Sequence, residues 1–270
     1  MRCQQGWRCS TTTAPAGGAS NGGRPICSLA DRSTTNQLAA LSPSFGCIAP
    51  IDYDNSDDAT SVCPVPGVRI TALHHAHAPH LNLVGLDVAA FGGFVKRPQT
   101  ALPLRAPDFK LGNTWAFLID LLDANGAVAF RIHYVDSSAS PPHGVIPKAL
   151  LAQRDIDVHI ACVAGFEQSD SYPDAILEHG RAHYVLGAHW EDFFQPRPAP
   201  LMPLRQVLTE ESMERFVTIV EQTLPTVGRL EPINKSPEWC APPRGCGPRG
   251  RGWSLPVPGE TFQFATAGRF

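Results

Sequence analysis

The alternation of apolar and polar residues predicts three strands in the first half of the chain. Residues 68–73 (VRITAL) alternate with the period of two that is typical of a half-buried strand. Residues 115–122 and 127–135 are two runs rich in β-branched and aromatic side chains. Asn125 and Gly126, in the stretch between these runs, form a dipeptide that strongly favours a tight turn. The two runs are therefore predicted to form a hairpin.

Strand and helix patterns alternate in the second half. Residues 157–163 and 183–187 are short apolar runs that predict strands, and residues 172–179 between them predict a short helix. A longer helix is predicted for residues 209–224, because apolar positions recur there at helical spacing after Thr209, a residue type that caps helices. Hairpins followed by strand–helix alternation favour a mixed sheet covered by helices, in the α/β or α+β class.

The two ends of the chain differ from the middle in composition. Residues 1–26 are rich in Gly, Ser, Thr and Ala and carry few large apolar side chains, so we expect a disordered tail. Residues 239–270 are rich in Pro, Gly and Arg, which predicts a second disordered tail. Residues 27–238 are predicted to form one domain, with a short helix at 34–41 (TTNQLAAL).

The overall composition excludes several classes of partner. The chain has 270 residues, 43% hydrophobic and 17% charged, with a net charge of −3 and no basic stripe that would indicate nucleic-acid binding. No apolar run approaches the roughly 18 residues that cross a bilayer. The sequence also begins without a convincing secretory signal. We therefore expect a cytoplasmic protein with a small-molecule substrate, and with neither a nucleic-acid nor a membrane partner.

The eight cysteines show no spacing that indicates a common purpose. There is no CxxC pair, and five residues separate Cys3 from Cys9 and Cys240 from Cys246. Zinc ribbons and knuckles need closer pairs, so a structural zinc module at the cysteine-bearing ends is disfavoured. A disulfide framework is equally unexpected in a large chain without an export signal. The cysteines are predicted to be free thiols.

Three segments place a metal-competent side chain directly after a predicted strand. They are HHAHAPH at residues 74–80, with four histidines in seven residues, FRIHYVDSSAS, which contains Asp136, and HYVLGAHWEDFF, which contains His189. Ligands at strand ends are held by a rigid sheet while one coordination position stays open, as a hydrolytic metal requires. Each segment also has an ordinary explanation: a turn-forming Asp, a core His among aromatic residues, or a surface loop that happens to be rich in His.

The order of several segments resembles a known family. HAPH after a strand, GNTWAFLID, FRIHYVD, DVHIACVAGF and GAHWEDFF are similar to the later part of metallo-β-lactamase-fold metal-dependent hydrolases of the lactonase-like bacterial branch, over about residues 30–238. The resemblance implies an αββα sandwich of the α/β (α+β) class. It also implies a metal site, usually of zinc, in which a metal-bound water of lowered pKa is the nucleophile.

The same resemblance assigns ligands. Asp136 corresponds to the aspartate that can bridge two metals, His189 to the last histidine ligand, and His77 to the histidine that precedes the aspartate. His75 and His80 are alternatives to His77, because His75-Ala-His77-Ala-Pro-His80 also has the spacing of the family's early HxHxDH motif, with proline in place of the aspartate. The distance along the chain to Asp136 suits the assignment of His77 better.

The resemblance is incomplete towards the N-terminus. Under the preferred assignment no HxHxDH motif precedes His77, since residues 1–73 contain no histidine. The implied sandwich is therefore incomplete at its N-terminal side, and the site is expected to hold one zinc ion at most. Two functions stay open at this point: a metal-dependent hydrolase of unknown substrate, and a degenerate, non-catalytic domain that keeps the scaffold without a complete metal site.

Overall fold

A computed structural model describes the middle of the chain and part of its C-terminal region. The described residues are 27–40, 47–50, 60–78, 81–83, 86–88, 92–192, 194–195, 201–205, 207–224, 227–230, 232 and 251–264.

Strands outnumber helices among the described residues. The strands are β1 (Cys27–Ala30), β2 (Cys47–Pro50), β3 (Thr60–Val65), β4 (Val68–His75), β5 (Leu81–Leu83), β6 (Leu86–Val88), β7 (Thr114–Leu122), β8 (Val128–Val135), β9 (Val158–Cys162), β10 (Tyr184–Ala188), β11 (Val227–Arg229) and β12 (Arg251–Ser254). The α-helices are α1 (Arg32–Leu38), α2 (Lys148–Leu151), α3 (Asp174–Gly180) and α4 (Glu210–Thr223). Two short 3-10 turns lie at Ala106–Asp108 and Phe166–Gln168.

The main sheet has eight strands in the order β11-β12-β10-β9-β8-β7-β4-β3. Strands β3, β4, β7 and β8 pair antiparallel, whereas β8, β9, β10, β12 and β11 pair parallel. In the turn between β7 and β8, the Asp123 carboxylate accepts hydrogen bonds from the backbone N–H groups of Asn125 and Ala127, at 2.8 and 2.9 Å. The predicted hairpin and the predicted mixed α/β class are both confirmed.

One face of this sheet packs against the helices and forms the main core. Leu73, Ala116 and Val135 are neighbours across β4, β7 and β8 and are at most 1% exposed. Phe216 on α4 is buried in the same cluster, and its ring meets Phe166 edge-on at 5.3 Å between centroids. Burying this apolar surface is the main term that holds helices and sheet together.

Buried charges also lie between sheet and helices. The Asp120 carboxylate accepts hydrogen bonds from Arg131 Nε at 2.6 Å and from Arg69 Nε at 3.0 Å. Asp120 and Arg131 are fully buried, and Arg131 also donates to the carbonyl of Leu150 at 2.6 Å. Buried charges cost several kcal/mol to desolvate unless they are paired. The network therefore ties β4, β7, β8 and α2 together.

The C-terminal region differs from its predicted disorder at residues 251–264. Strand β12 lies between β10 and β11, so the sheet extends past residue 238. Trp190 Nε1 donates to the carbonyl of Pro256 at 3.2 Å, and the Phe264 ring lies 5.0 Å from that of Tyr184. Apolar side chains, among them Trp253, pack against the main core from this segment. The composition of residues 239–270 as a whole hid this short apolar stretch. The other predicted tail, residues 1–26, lies outside the described residues.

The prediction of free thiols is wrong for Cys63 and right for Cys162. Cys63 is disulfide-bonded, whereas Cys162 is a buried free thiol. Disulfides persist mainly in oxidising compartments, so Cys63 gives no support to the predicted cytoplasmic location. In the part of the chain that the structure describes, no helix is long and apolar enough to cross a membrane.

Candidate functional site

Three metal-competent side chains lie at the same edge of the sheet. Asp136 directly follows β8, Cys162 is the last residue of β9, and His189 directly follows β10. Because β8, β9 and β10 are neighbouring parallel strands, their carboxyl ends meet at one edge. We call Asp136, Cys162 and His189 the strand-end cluster. The sequence predicted its first and last members as ligands.

Asp136 is exposed and is oriented by a tyrosine from the strand that it follows. The Tyr134 hydroxyl donates a hydrogen bond to Asp136 Oδ1 at 2.8 Å. Burial raises the pKa of Tyr134, and the bond to the Asp136 carboxylate raises it further. Tyr134 therefore stays protonated as a donor at neutral pH, and one carboxylate oxygen is held in place while the group remains open to solvent.

Cys162 links the other two members of the cluster. Its Sγ lies 3.6 Å from His189 Nδ1 and donates to the carbonyl of Ala164 at 3.4 Å. Burial, together with the negative charge of Asp136, raises the pKa of the Cys162 thiol to about 12. The thiol is therefore protonated at neutral pH, which argues against a role as nucleophile, because the thiolate is the reactive form.

The hydrogen bonds of Cys162 also orient the ring of His189. The single thiol proton is directed to Ala164, so Sγ accepts from an N–H at His189 Nδ1. In metal sites a ligating histidine usually donates its second N–H to a neighbouring acceptor in this way. His189 has a φ of 57°, in the left-handed region that non-glycine residues rarely adopt. Such backbone conformations cluster at functional sites.

The histidine segment after β4 lies beside the residue that follows Asp136. His75 Nε2 donates to the carbonyl of Ser137 at 2.5 Å, and the Ser137 hydroxyl accepts from the backbone N–H of Ala78 at 2.8 Å. His77 Nδ1 lies 2.8 Å from the Ala78 carbonyl, so it donates there. The predicted ligands therefore all lie at or just after the carboxyl ends of strands, at the same end of the sheet. They are His75, His77, Asp136 and His189. His80 lies outside the described residues.

His75 is a buried residue that supports the backbone next to Asp136. It is 3% exposed, and its Nδ1 has no hydrogen-bond partner. Burial lowers the pKa of His75, although the bond to Ser137 partly opposes this. Gly144, with a φ of 72°, packs so closely that a Cβ there would lie 2.8 Å from His75 Nδ1. His75 therefore fixes the backbone next to Asp136, which makes it a positioning residue.

The side chains of the strand-end cluster are of types that bind zinc, but their arrangement suits a metal ion less well. Carboxylate, imidazole and thiol groups are the usual ligands of zinc. Among the described residues, however, no three His, Cys, Asp or Glu side chains are grouped so that they could hold one metal ion. The ligand set His77, Asp136 and His189 therefore stays a prediction.

Cys162 was missed by the sequence reasoning. The signal that could have found it is positional: it lies at the end of the strand predicted at 157–163, which separates the strands that lead to Asp136 and His189. The spacing between cysteines does not indicate this position, because Cys162 contacts a histidine that follows the neighbouring strand and not another cysteine.

Comparison with known proteins gives little further information. No family model matches the chain, and no similar sequence is found among curated proteins. One solved structure that matches is a Thermotoga maritima protein assigned to the Zn-dependent hydrolases of the metallo-β-lactamase superfamily, at a TM-score of 0.27 and 13% sequence identity. The match covers 59% of this chain and 57% of that one, which is less than two thirds of its length. A TM-score this low does not establish a shared fold.

Proposed function

We propose that the chain is a metal-dependent hydrolase of the metallo-β-lactamase type, with Asp136, His189 and His77 as ligands of one zinc ion. The observation that carries the proposal is that Asp136 and His189 lie at the carboxyl ends of neighbouring parallel strands, on either side of Cys162, whose Sγ is 3.6 Å from His189 Nδ1. Open α/β sheets bind their ligands at such an edge. The family resemblance assigns these same two residues to the metal.

The chain's own residues prepare this edge for a cation. When bound, zinc would supply a water of lowered pKa as the nucleophile. Tyr134 holds one oxygen of the Asp136 carboxylate. Cys162 Sγ contacts Nδ1 of His189 at 3.6 Å, so Nε2 is the nitrogen that would bind the ion. The bond from His75 to Ser137 fixes the backbone beside Asp136. The exposure of Asp136 leaves the edge accessible to a small-molecule substrate.

A second candidate function is a degenerate domain that keeps this scaffold without catalysis. One observation favours it: in the described ranges no three potential ligands are grouped to hold a metal ion. Binding of zinc by the hydrolase candidate therefore requires the side chains of His77, Asp136 and His189 to turn towards one point.

Zinc affinity separates the two candidates. We would measure zinc by mass spectrometry in the purified protein and by equilibrium dialysis, in wild type and in Asp136→Asn. Asp170→Asn is the matched control, because Asp170 is exposed and lies outside the strand-end cluster. The hydrolase candidate predicts about one zinc at this site, with at least a roughly tenfold weaker affinity in Asp136→Asn alone. Wild type holding less than about a tenth of an equivalent would exclude it.

If zinc binds, the hydrolase candidate also requires hydrolytic activity that depends on the bound zinc. The zinc-loaded protein would be assayed with lactone, thioester and phosphodiester substrates, since the fold class does not determine which of them is hydrolysed. Activity that falls in Asp136→Asn and not in Asp170→Asn supports a hydrolase. Tight zinc binding without turnover of any of them supports the degenerate domain.

A further inference from the structure

A pair of histidines lies outside the strand-end cluster. His74, the exposed residue before the last position of β4, has its Nδ1 3.2 Å from Nδ1 of His143. The two ring centroids are 5.1 Å apart, with 37° between the ring planes. His74 and His143 are 69 residues apart in sequence, so only the fold brings them together. Two imidazole nitrogens of the same kind therefore face each other at the surface.

The separation of these nitrogens is that of two ligands on one metal ion. Metal–nitrogen bonds to histidine are about 2.0–2.1 Å long, which places two such nitrogens about 3.3 Å apart on a tetrahedral ion and about 3.0 Å apart at a right angle. The observed 3.2 Å lies between these values. One imidazole could alternatively donate its Nδ1–H to the other, since 3.2 Å also allows a hydrogen bond.

The backbones that carry the two rings are fixed to each other. The N–H of Gly144 donates to the carbonyl of His74 at 2.9 Å, which ties the residue after His143 directly to the end of β4. The Trp115 ring stands at 88° to that of His74, at 6.4 Å between centroids. Because both rings are held by neighbouring backbone, bringing them to one ion costs little conformational entropy.

The pKa of His143 also suits a cation. Burial, and then the proximity of His74, lower the pKa of His143. The lowered pKa favours the neutral ring of His143, which is the form that binds a cation. Imidazole nitrogen is a ligand for Zn²⁺, Cu²⁺ and Ni²⁺ rather than for Ca²⁺ or Mg²⁺, which take oxygen ligands.

We propose that His74 and His143 form a two-histidine site for a divalent transition metal, separate from the strand-end cluster. Water completes the coordination of the ion. The metal joins the end of β4 to the turn before α2, next to the segment that carries His75 and His77. The two Nδ1 atoms at 3.2 Å carry this proposal, which does not depend on zinc binding at Asp136.

Calorimetric titration with Ni²⁺ tests this site, using the full chain in wild type, His74→Gln, His143→Gln and the double variant. His183→Gln is the matched control, because His183 is a half-buried histidine directly before β10, at the end of the sheet opposite to the strand-end cluster. We expect wild type and the control to bind about one equivalent of Ni²⁺ more than either single variant, or to bind it at least roughly tenfold more tightly. The double variant should lose no more than a single one, because both rings serve the same ion.

Each other outcome overturns the proposal. Equal Ni²⁺ binding by wild type and both single variants would leave the pair as a hydrogen bond only. Additive losses would mean that the two rings bind different ions. Loss of the same equivalent in Asp136→Asn would mean that the site is not separate from the strand-end cluster. Should His143→Gln fail to fold, the exposed His74→Gln variant decides the question alone.

Discussion

At the scale of single residues, the neighbouring imidazoles of His133 and His159 have the clearest consequence. The two rings are fully buried with centroids 4.9 Å apart, and neither nitrogen of His133 has a hydrogen-bond partner. Burial lowers the pKa of His133 far below its usual value. Burial also lowers the pKa of His159 to about 3, although a backbone contact with His133 opposes this. Both rings are therefore neutral in the folded protein at pH 7.

The free energy of unfolding should consequently decrease as the pH is lowered. Below about pH 6.5 the unfolded chain takes up a proton at each histidine while the folded state does not, at about 1.4 kcal/mol per pH unit for each. The loss begins near pH 6.5 and continues for His159 down to about pH 3. Urea unfolding of wild type and of His159→Leu at pH 7 and pH 5.5 would measure it. The variant should lose about 1 kcal/mol less than wild type over this interval; an identical loss in both proteins would show that His159 is charged in the folded state.

Removal of the Asp120 carboxylate should also lower the free energy of unfolding. Asp120→Asn leaves two buried guanidinium groups, Arg69 and Arg131, without their counter-charge. We expect a loss of about 3–5 kcal/mol in the free energy of unfolding, measured by urea denaturation. The control is Asp155→Asn, which removes the partner of Arg181 at an exposed ion pair and should cost less than about 1 kcal/mol. Similar losses in the two variants would contradict the structural role of the Asp120 network.

At the scale of elements, helix α4 is stabilised by a reciprocal cap. Thr209 Oγ1 accepts from the Ser212 N–H at 3.0 Å, and Ser212 Oγ accepts from the Thr209 N–H at 2.7 Å. Thr209→Ala should therefore lower the unfolding free energy by about 1 kcal/mol, while Thr209→Ser, which keeps the hydroxyl, should lower it much less. Thermal unfolding of the three proteins checks this, and equal melting temperatures for Ala and Ser would show that the cap contributes nothing.

Elements with strong local signals were predictable from sequence, and those defined by distant contacts were not. The β7–β8 hairpin and α4 follow from turn chemistry, alternation and capping, and they lie where the sequence predicts them. Helix α1 begins at Arg32 rather than at the predicted Thr34. Its cap is Asp31, whose carboxylate also accepts from the N–H of Asn113, a partner 82 residues away that local patterns cannot reveal.

At the scale of the whole molecule, the sheet depends on the C-terminal strand. Strand β12 separates β10 from β11, and the segment after it receives the Trp190 N–H. A chain that ends at residue 250 should therefore lose cooperative unfolding, because it exposes one edge of β10 and part of the main core. A chain that ends at Phe264 keeps every described contact and is the control. Circular dichroism melting of both would test this; an unchanged transition in the shorter chain would show that β12 is dispensable.

The candidate site shows how far a single sequence leads. The positions of Asp136 and His189 at strand ends could be predicted, because each follows a recognisable strand. Cys162 and His143 could not, because Cys162 meets His189 over 27 residues and His143 meets His74 over 69 residues of sequence. Only the parallel order of β8, β9 and β10, and the return of the turn before α2 to the end of β4, bring these side chains together.

We propose that the strand-end cluster binds a metal ion through Asp136 and His189. X-ray absorption at the zinc edge, on wild type, Asp136→Asn and His189→Gln loaded with one equivalent, tests it most directly. In wild type we predict oxygen and nitrogen neighbours at about 2.0–2.2 Å and no sulfur at about 2.3 Å, because Cys162 keeps its proton and positions His189. Both variants should lose this spectrum. A wild-type spectrum that neither substitution changes would place the zinc elsewhere and contradict the claim.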